Sequence, residues 1–215
     1  IQGHIYIYSS SVPRKYILPN IIKGFVRDYP DVTFTVEGKD SKKVVKGILD
    51  GVTDFGIVGA KYSSNSLEYI DLMEDELVLV TPNCDKYPED NYSYISKDVF
   101  LNEKIFFREE GSGTRSLTEK VMEKAGIPIN KLNIVGYIED TEIIKDLIAL
   151  GIGVSLLSKK TIEDDLKSKK FKAFHIKDMD FSRKFYFVYH KNRQLSPLSN
   201  TFKDHIIMYT KGQIL

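Results

Sequence analysis

The stretch Arg108-Glu109-Glu110-Gly111-Ser112-Gly113-Thr114-Arg115 gathers the residue types best suited to chemistry in this chain. Its two glycines let the backbone approach a ligand, and Ser112 and Thr114 offer hydroxyls. Arg115 adds a fork of donors that fits a carboxylate, sulfate or phosphate. Before it lies the apolar run Lys104-Ile105-Phe106-Phe107, a short buried strand. After it Leu117, Val121 and Met122 fall at helical spacing between Ser116 and Lys124. A strand-to-helix turn of this kind points the unpaired N–H groups of the new helix, and the positive end of its dipole, at a seat for an anion. The same residues would also serve as a well-capped helix carrying an exposed arginine, and the stretch alone leaves both readings open.

Other chemistry finds less support. The four histidines, His4, His175, His190 and His205, show no ligand spacing, so no metal is expected. Glu109-Glu110 and Glu163-Asp164-Asp165 read as solvated loop and helix faces rather than as acid–base pairs. Gly111-Ser112-Gly113 has the spacing of neither a nucleophile elbow nor a phosphate-binding loop, so neither an enzyme nor a cofactor is expected. The only cysteine, Cys84, lies beside Pro82 and Asn83 with no directly adjacent basic residue. It reads as a bystander, excludes an internal disulfide and points to a reducing, cytoplasmic setting. The 31 lysines and arginines nearly balance 30 aspartates and glutamates over 215 residues. A basic surface for nucleic acid is therefore not expected in this segment. No apolar run approaches the roughly 18 residues of a membrane span, and no signal peptide opens the sequence. The chain starts on Ile1, already in a strand, and reads as a piece of something longer.

The elements that must position the turn follow from periodicity. His4 to Tyr8 is a strand, Ser9-Ser10-Ser11 a polar turn, and Tyr16 to Tyr29 an amphipathic helix ended by Pro30, with Pro19 in its first turn. Val32 to Glu37 alternates as a strand, Ser41 to Asp50 is a helix closed by Gly51, and Asp54 to Gly59 is a short strand. That order calls for a parallel sheet with helices on both faces, and ligands in such sheets sit at the carboxyl ends of strands. Here those ends carry Ser9 to Ser11 and Gly59-Ala60. Next come two strands, Leu67 to Met73 and Glu76 to Thr81, then a weakly patterned stretch from Tyr87 to Phe100. After the glycine-rich turn and its helix, Ile134 to Ile138 is a strand. Asp140 or Thr141 caps a helix running to Leu150, and Gly153 to Leu157 is a buried strand. A charged helix from Ser158 to Lys169, strands Phe171 to Ile176 and Phe185 to His190, and a helix bearing Leu198, Phe202, Ile206, Ile207 and Tyr209 complete the pattern.

Four runs in this order carry a family resemblance. They are Tyr16-Ile17-Leu18-Pro19 with Phe25 and Tyr29-Pro30-Asp31-Val32, then Gly51 to Ile57, then Leu77-Val78-Leu79-Val80, and last Gly151-Ile152-Gly153-Val154-Ser155-Leu156-Leu157. Over essentially the whole chain the sequence resembles the effector-binding part of LysR-type transcriptional regulators. The resemblance implies an α/β, two-lobed fold like that of type 2 periplasmic binding proteins, each lobe a mostly parallel sheet flanked by helices, with two crossover strands. Lobe I would comprise residues 1–80 with 188–215 returning to it, and lobe II residues 81–187, with crossings near Val80-Thr81 and Phe187-Val188.

The family's cleft, carried over, implies ligand contacts from Ser10 and Ser11, from Gly59 and Ala60, from Ser112, Gly113, Thr114 and Arg115, and from Glu139 to Thr141. Many members have a hydroxyl residue where this chain has Val12, so one familiar contact is missing. The Gly-Ser-Gly-Thr-Arg form resembles the branch that senses small anions, with sulfate, phosphate, an acetylated serine or a small carboxylate ranked ahead of an aromatic effector. Partners implied are that effector, a second copy paired antiparallel through the helix Tyr16–Tyr29 and the strand Val32–Val36, and DNA only through a winged helix-turn-helix absent from this sequence. Solute-binding proteins for phosphate can carry a similar turn, so an anion-binding transport protein is the alternative.

Overall fold

Alternation places Ile5 and Ile7 on the core face of β1 (Gly3–Ser9) and, from the neighbouring strands, Phe55 on β3 (Phe55–Val58) and Phe187 on β10 (Ser182–His190). The computed structural model describes residues 1–212; the last three residues of the lobe expected to include 188–215 lie outside the described residues. The chain divides into two compact units, Ile1–Glu74 with Lys184–Leu215, and Asp75–Arg183. Both divisions fall inside long strands, somewhat earlier in each than the crossings expected near Val80-Thr81 and Phe187-Val188.

In unit 1 the sheet order is β2 (Val32–Gly38), β1, β3, β10, with the first three parallel and β10 antiparallel to β3. Phe25, Phe34, Phe55 and Phe202 meet edge-on or tilted, 5.0 to 6.1 Å between ring centres, under helices α2 (Leu18–Asp28) and α8 (Pro197–Thr210). The helix expected from Tyr16 is two: α1 (Ser11–Tyr16) starts five residues earlier, and the chain re-forms a helix at Leu18. Pro19 explains the break, because it cannot donate to the carbonyl four residues before it. Helix α3 (Ser41–Leu49) is capped by Asp40, whose carboxylate accepts from the Lys43 N–H at 2.8 Å.

In unit 2 the two strands expected around Glu74-Asp75 are one, β4 (Leu67–Pro82), which begins in unit 1. It runs antiparallel to β8 (Ser155–Ser158) and to β9 (Phe171–Ile176), whose far edge pairs with the short β5 (Tyr94–Ile95). Strands β6 (Lys104–Phe107) and β7 (Asn133–Tyr137) are parallel neighbours. They join the unit through Val154, which accepts from Phe106 N–H at 2.9 Å and donates to Lys104 O at 2.8 Å. Gly153 is required there, since a Cβ would stand 2.6 Å from the Lys104 carbonyl oxygen. The helix α4 (Lys97–Asn102) precedes β6. Of the charged helix expected from Ser158 to Lys169, only a 3-10 turn (Lys159–Thr161) and the five-residue α7 (Glu163–Lys167) form. Lys169 then ends the segment in the left-handed region, φ 57°.

Candidate functional site

The glycine-rich turn is built as its residue types require. Gly111 takes φ 90°, a conformation costly for other residues, and swings the chain from β6 into helix α5 (Gly113–Lys124). Ser112 caps that helix, its Oγ accepting from the Arg115 N–H at 3.4 Å. On the adjacent strand, β7 leads through Glu139 to Asp140, which caps helix α6 (Thr141–Ala149) by accepting from Glu142 N–H at 2.8 Å. Two neighbouring parallel strands thus end in two helix starts, the arrangement in which open α/β sheets bind ligands. Ser112, Gly113 and Thr114 are buried in unit 2, Thr141 is half-buried and Glu139 is exposed.

Arg115 is not the loose fork that sequence suggests. Its Nε donates to Glu119 Oε1 at 2.8 Å, Nη1 donates to the Arg108 carbonyl at 3.4 Å, and the guanidinium lies 5.4 Å from the Phe107 ring and 5.1 Å from the Tyr137 ring.

The charges that periodicity did not single out are Arg108, Arg183 and Asp75. Arg108, its side chain 7% exposed, grips Glu109 with two donors at 2.8 and 3.0 Å and reaches Thr141 Oγ1 at 3.4 Å. Glu109 is therefore a half-buried ion-pair partner rather than a solvated loop residue. Arg183 donates from Nε to Asp75 Oδ2 at 2.7 Å and from Nη1 to Thr114 Oγ1 at 3.2 Å. Asp75 also accepts from Ser158 Oγ at 2.7 Å, and its side chain is 1% exposed. Burial pulls the Arg183 pKa below the ordinary guanidinium value; Asp75 opposes the fall and the nearby Arg108 charge adds to it. Sequence offered little signal for Asp75, which lies in the acidic run Glu74-Asp75-Glu76 that reads as a break between strands.

In unit 1 the strand ends bring together Ser10, the N-cap position of α1, with Ser41 and Gly59. Ser10 N–H donates to Ile57 O at 2.9 Å, and Gly59 N–H donates to the buried Ser41 Oγ at 3.1 Å. Ser10, Ser11 and Ala60 are half-buried and Gly59 is buried. Val12, at the position of the missing hydroxyl, is buried in the core. The histidines have separate partners: His4 bonds Thr33 and Thr35, His175 faces Glu76 at 3.0 Å, His190 bonds Asn192 N–H and His205 meets Ile21 O. Among the described residues no three metal-ligating side chains cluster, and no helix is long and apolar enough to cross a membrane. Cys84 is exposed.

A family model described as "LysR substrate binding domain" matches residues 1–210. The chain is 28% identical over 93% of its length to a phosphonates import ATP-binding protein of Anaeromyxobacter dehalogenans, of which it covers 40%. It is 31% identical over 87% of its length to an uncharacterized HTH-type transcriptional regulator, MJ0300, of Methanocaldococcus jannaschii, covering 62% of it. The chain thus spans less than two thirds of these relatives. Among solved structures, the effector-binding domain of QuiR in complex with shikimate superposes with a TM-score of 0.85 at 22% identity, covering all of both chains. The regulatory domain of Synechocystis CcmR in complex with 2-PG does so with the same score and identity, covering 98% of each.

Proposed function

The chain belongs to the LysR substrate-binding domain family, with its type 2 periplasmic-binding-protein-like fold, and from that premise we propose that it senses a small anion for a DNA-binding transcription regulator. The family is one of regulators rather than enzymes. The observation that carries the reading is the pair of helix starts on β6 and β7, where hydroxyls, backbone donors and two dipoles face the same strand ends. Sulfate, phosphate, an acetylated serine or a small carboxylate are the effector classes, held by Ser112, Gly113, Thr114, Arg115, Glu139 and Thr141. Ser10, Ser11, Gly59 and Ala60 are the contacts assigned to unit 1. The two solved relatives support the class, since each was named with an acid as its ligand.

The effector acts by favouring one arrangement of the protein through differential affinity and so changing how two subunits pair. An antiparallel dimer is assigned to the α2 and β2 face of unit 1. There a groove of about 570 Å³ is lined by Leu18, Pro19, Ile22, Val26 and Val36. DNA is read by a helix-turn-helix segment outside this sequence, in the cytoplasm. A second reading, an anion-binding part of a transport system, is favoured by the name of the phosphonates import relative; the family match and the regulator relative favour sensing.

Thermal unfolding against sulfate, phosphate, thiosulfate, acetylated serines, small carboxylates and aromatic acids tests the reading. A ligand at about 100 times its Kd adds roughly 2.7 kcal/mol, raising the midpoint by around 5–10 °C for a chain of this size. A selective rise with one small anion is expected; a rise with aromatic acids alone would sink the small-anion reading.

A further inference from the structure

Residues 59–66 join β3 to β4 in unit 1, carry two of the contacts assigned to that unit, Gly59 and Ala60, and belong to neither strand. Backbone outside a strand ladder keeps one place only if other groups take its polar atoms. At the near end the Gly59 N–H is taken by the buried Ser41 Oγ, and at the far end Ser66 O accepts from the Lys191 N–H at 2.9 Å. Between them one side chain holds the loop. The Tyr69 hydroxyl, reaching back from β4, accepts from the Tyr62 N–H at 3.0 Å and donates to the Tyr62 carbonyl at 3.0 Å. A phenol can do both at once, so a single oxygen satisfies the donor and the acceptor of one residue, as a neighbouring strand would. Burial raises the Tyr69 pKa, the Tyr62 N–H pulls it back, and the group stays protonated and able to donate at neutral pH.

The ring that carries this hydroxyl is itself fixed. It meets Tyr186 of β10 edge-on, 6.0 Å between centres at 86°. The ammonium of Lys61, the residue after Ala60, lies 4.6 Å from the Tyr186 ring and 5.8 Å from the Tyr69 ring. A loop held before the ligand arrives binds without the cost of being ordered. We infer that Tyr69 is a positioning residue for effector binding, acting through Tyr62 to hold Gly59 and Ala60 where they meet the effector. The inference rests on the contacts proposed above for unit 1 and adds to them a residue that touches the loop rather than the ligand.

Tyr69→Phe keeps the ring, its packing on Tyr186 and the Lys61 contact, and removes only the two hydrogen bonds to Tyr62. Titration calorimetry with sulfate and with inorganic phosphate, at a temperature where wild type and variant are both folded, tests the role. Tyr69→Phe should weaken whichever ion the wild-type chain binds by about fivefold, and amide exchange at Tyr62 should become faster. Ile206→Val, in the core of the same unit, should lower the unfolding midpoint by a comparable amount and leave the affinity unchanged. Unchanged affinity or unchanged exchange at Tyr62 in Tyr69→Phe overturns the positioning role and leaves the anion reading standing. An equal loss of affinity in Ile206→Val also overturns it, because lowered stability alone would then explain the effect. Binding of neither ion by the wild-type chain overturns the anion reading and this inference together.

Discussion

In unit 1, β1 and β3 end in Ser10, Ser11, Gly59 and Ala60, and no guanidinium is hydrogen-bonded to any of those serines among the described residues. In unit 2, β6 and β7 end in Ser112, Thr114 and Thr141, and a guanidinium holds each of the two threonines. In unit 1 only β1 gives way to a helix, β3 running on into β4, whereas in unit 2 both β6 and β7 give way to helices. A further difference is the buried charge beneath. Arg108 and Arg183 are each matched by a carboxylate, so their positive charge is largely spent inside the unit. An arginine near an anion site therefore need not be the residue that touches the anion.

The strongest way to break this comparison is at Arg183. Arg183→Ala leaves the Asp75 carboxylate buried without its ion-pair partner, at an expected cost of about 3–5 kcal/mol in urea unfolding, whereas Ser10→Ala should cost under about 0.5 kcal/mol. Similar small losses at both positions would mean that the two strand ends are built alike. Arg115→Ala is expected to weaken anion binding by about 1.5–3 kcal/mol in calorimetry. Unchanged affinity would assign Arg115 wholly to Glu119 and to the Phe107 and Tyr137 rings. Ser112→Ala removes the cap of α5 and should cost about 1 kcal/mol, seen as faster amide exchange in its first turn.

A smaller, pH-linked effect belongs to unit 1. Burial holds the His205 pKa below its ordinary value, partly offset by its bond to Ile21 O and by Asp28, with Arg27 lowering it further. The folded state therefore prefers the neutral ring. That stability is complete above the unfolded value, about 6.5, and is lost as pH falls through the lower folded value. The unfolding midpoint should drop as pH is lowered below 6.5, and His205→Gln should flatten that dependence; a parallel fall in both proteins would place the titration elsewhere.

Much of the fold was legible because it follows local rules. Alternation marked β1 and β2, apolar runs marked β6 and β9, three- and four-residue spacing marked α2, α3 and α6, and glycines marked the ends of α3 and α6. The boundaries that failed did so where distant contacts override local pattern. Glu74-Asp75 looked like a break between strands, yet β4 runs through it because Asp75 meets Arg183 and Ser158, residues far away in sequence.

The candidate site divides the same way. The composition Gly-Ser-Gly-Thr-Arg by itself determined a turn with two flexible points, a helix cap and a cluster of donors, since each property belongs to a residue and its immediate neighbours. Which donors are already committed could be decided only in three dimensions. The partners of Arg115, Arg108 and Thr114 come from one turn along a helix, from the start of another helix and from the far end of unit 2. Hydrogen-bond partners depend on the fold, so the sequence determined the presence of the hydroxyls and tertiary structure decided which donors they accept from.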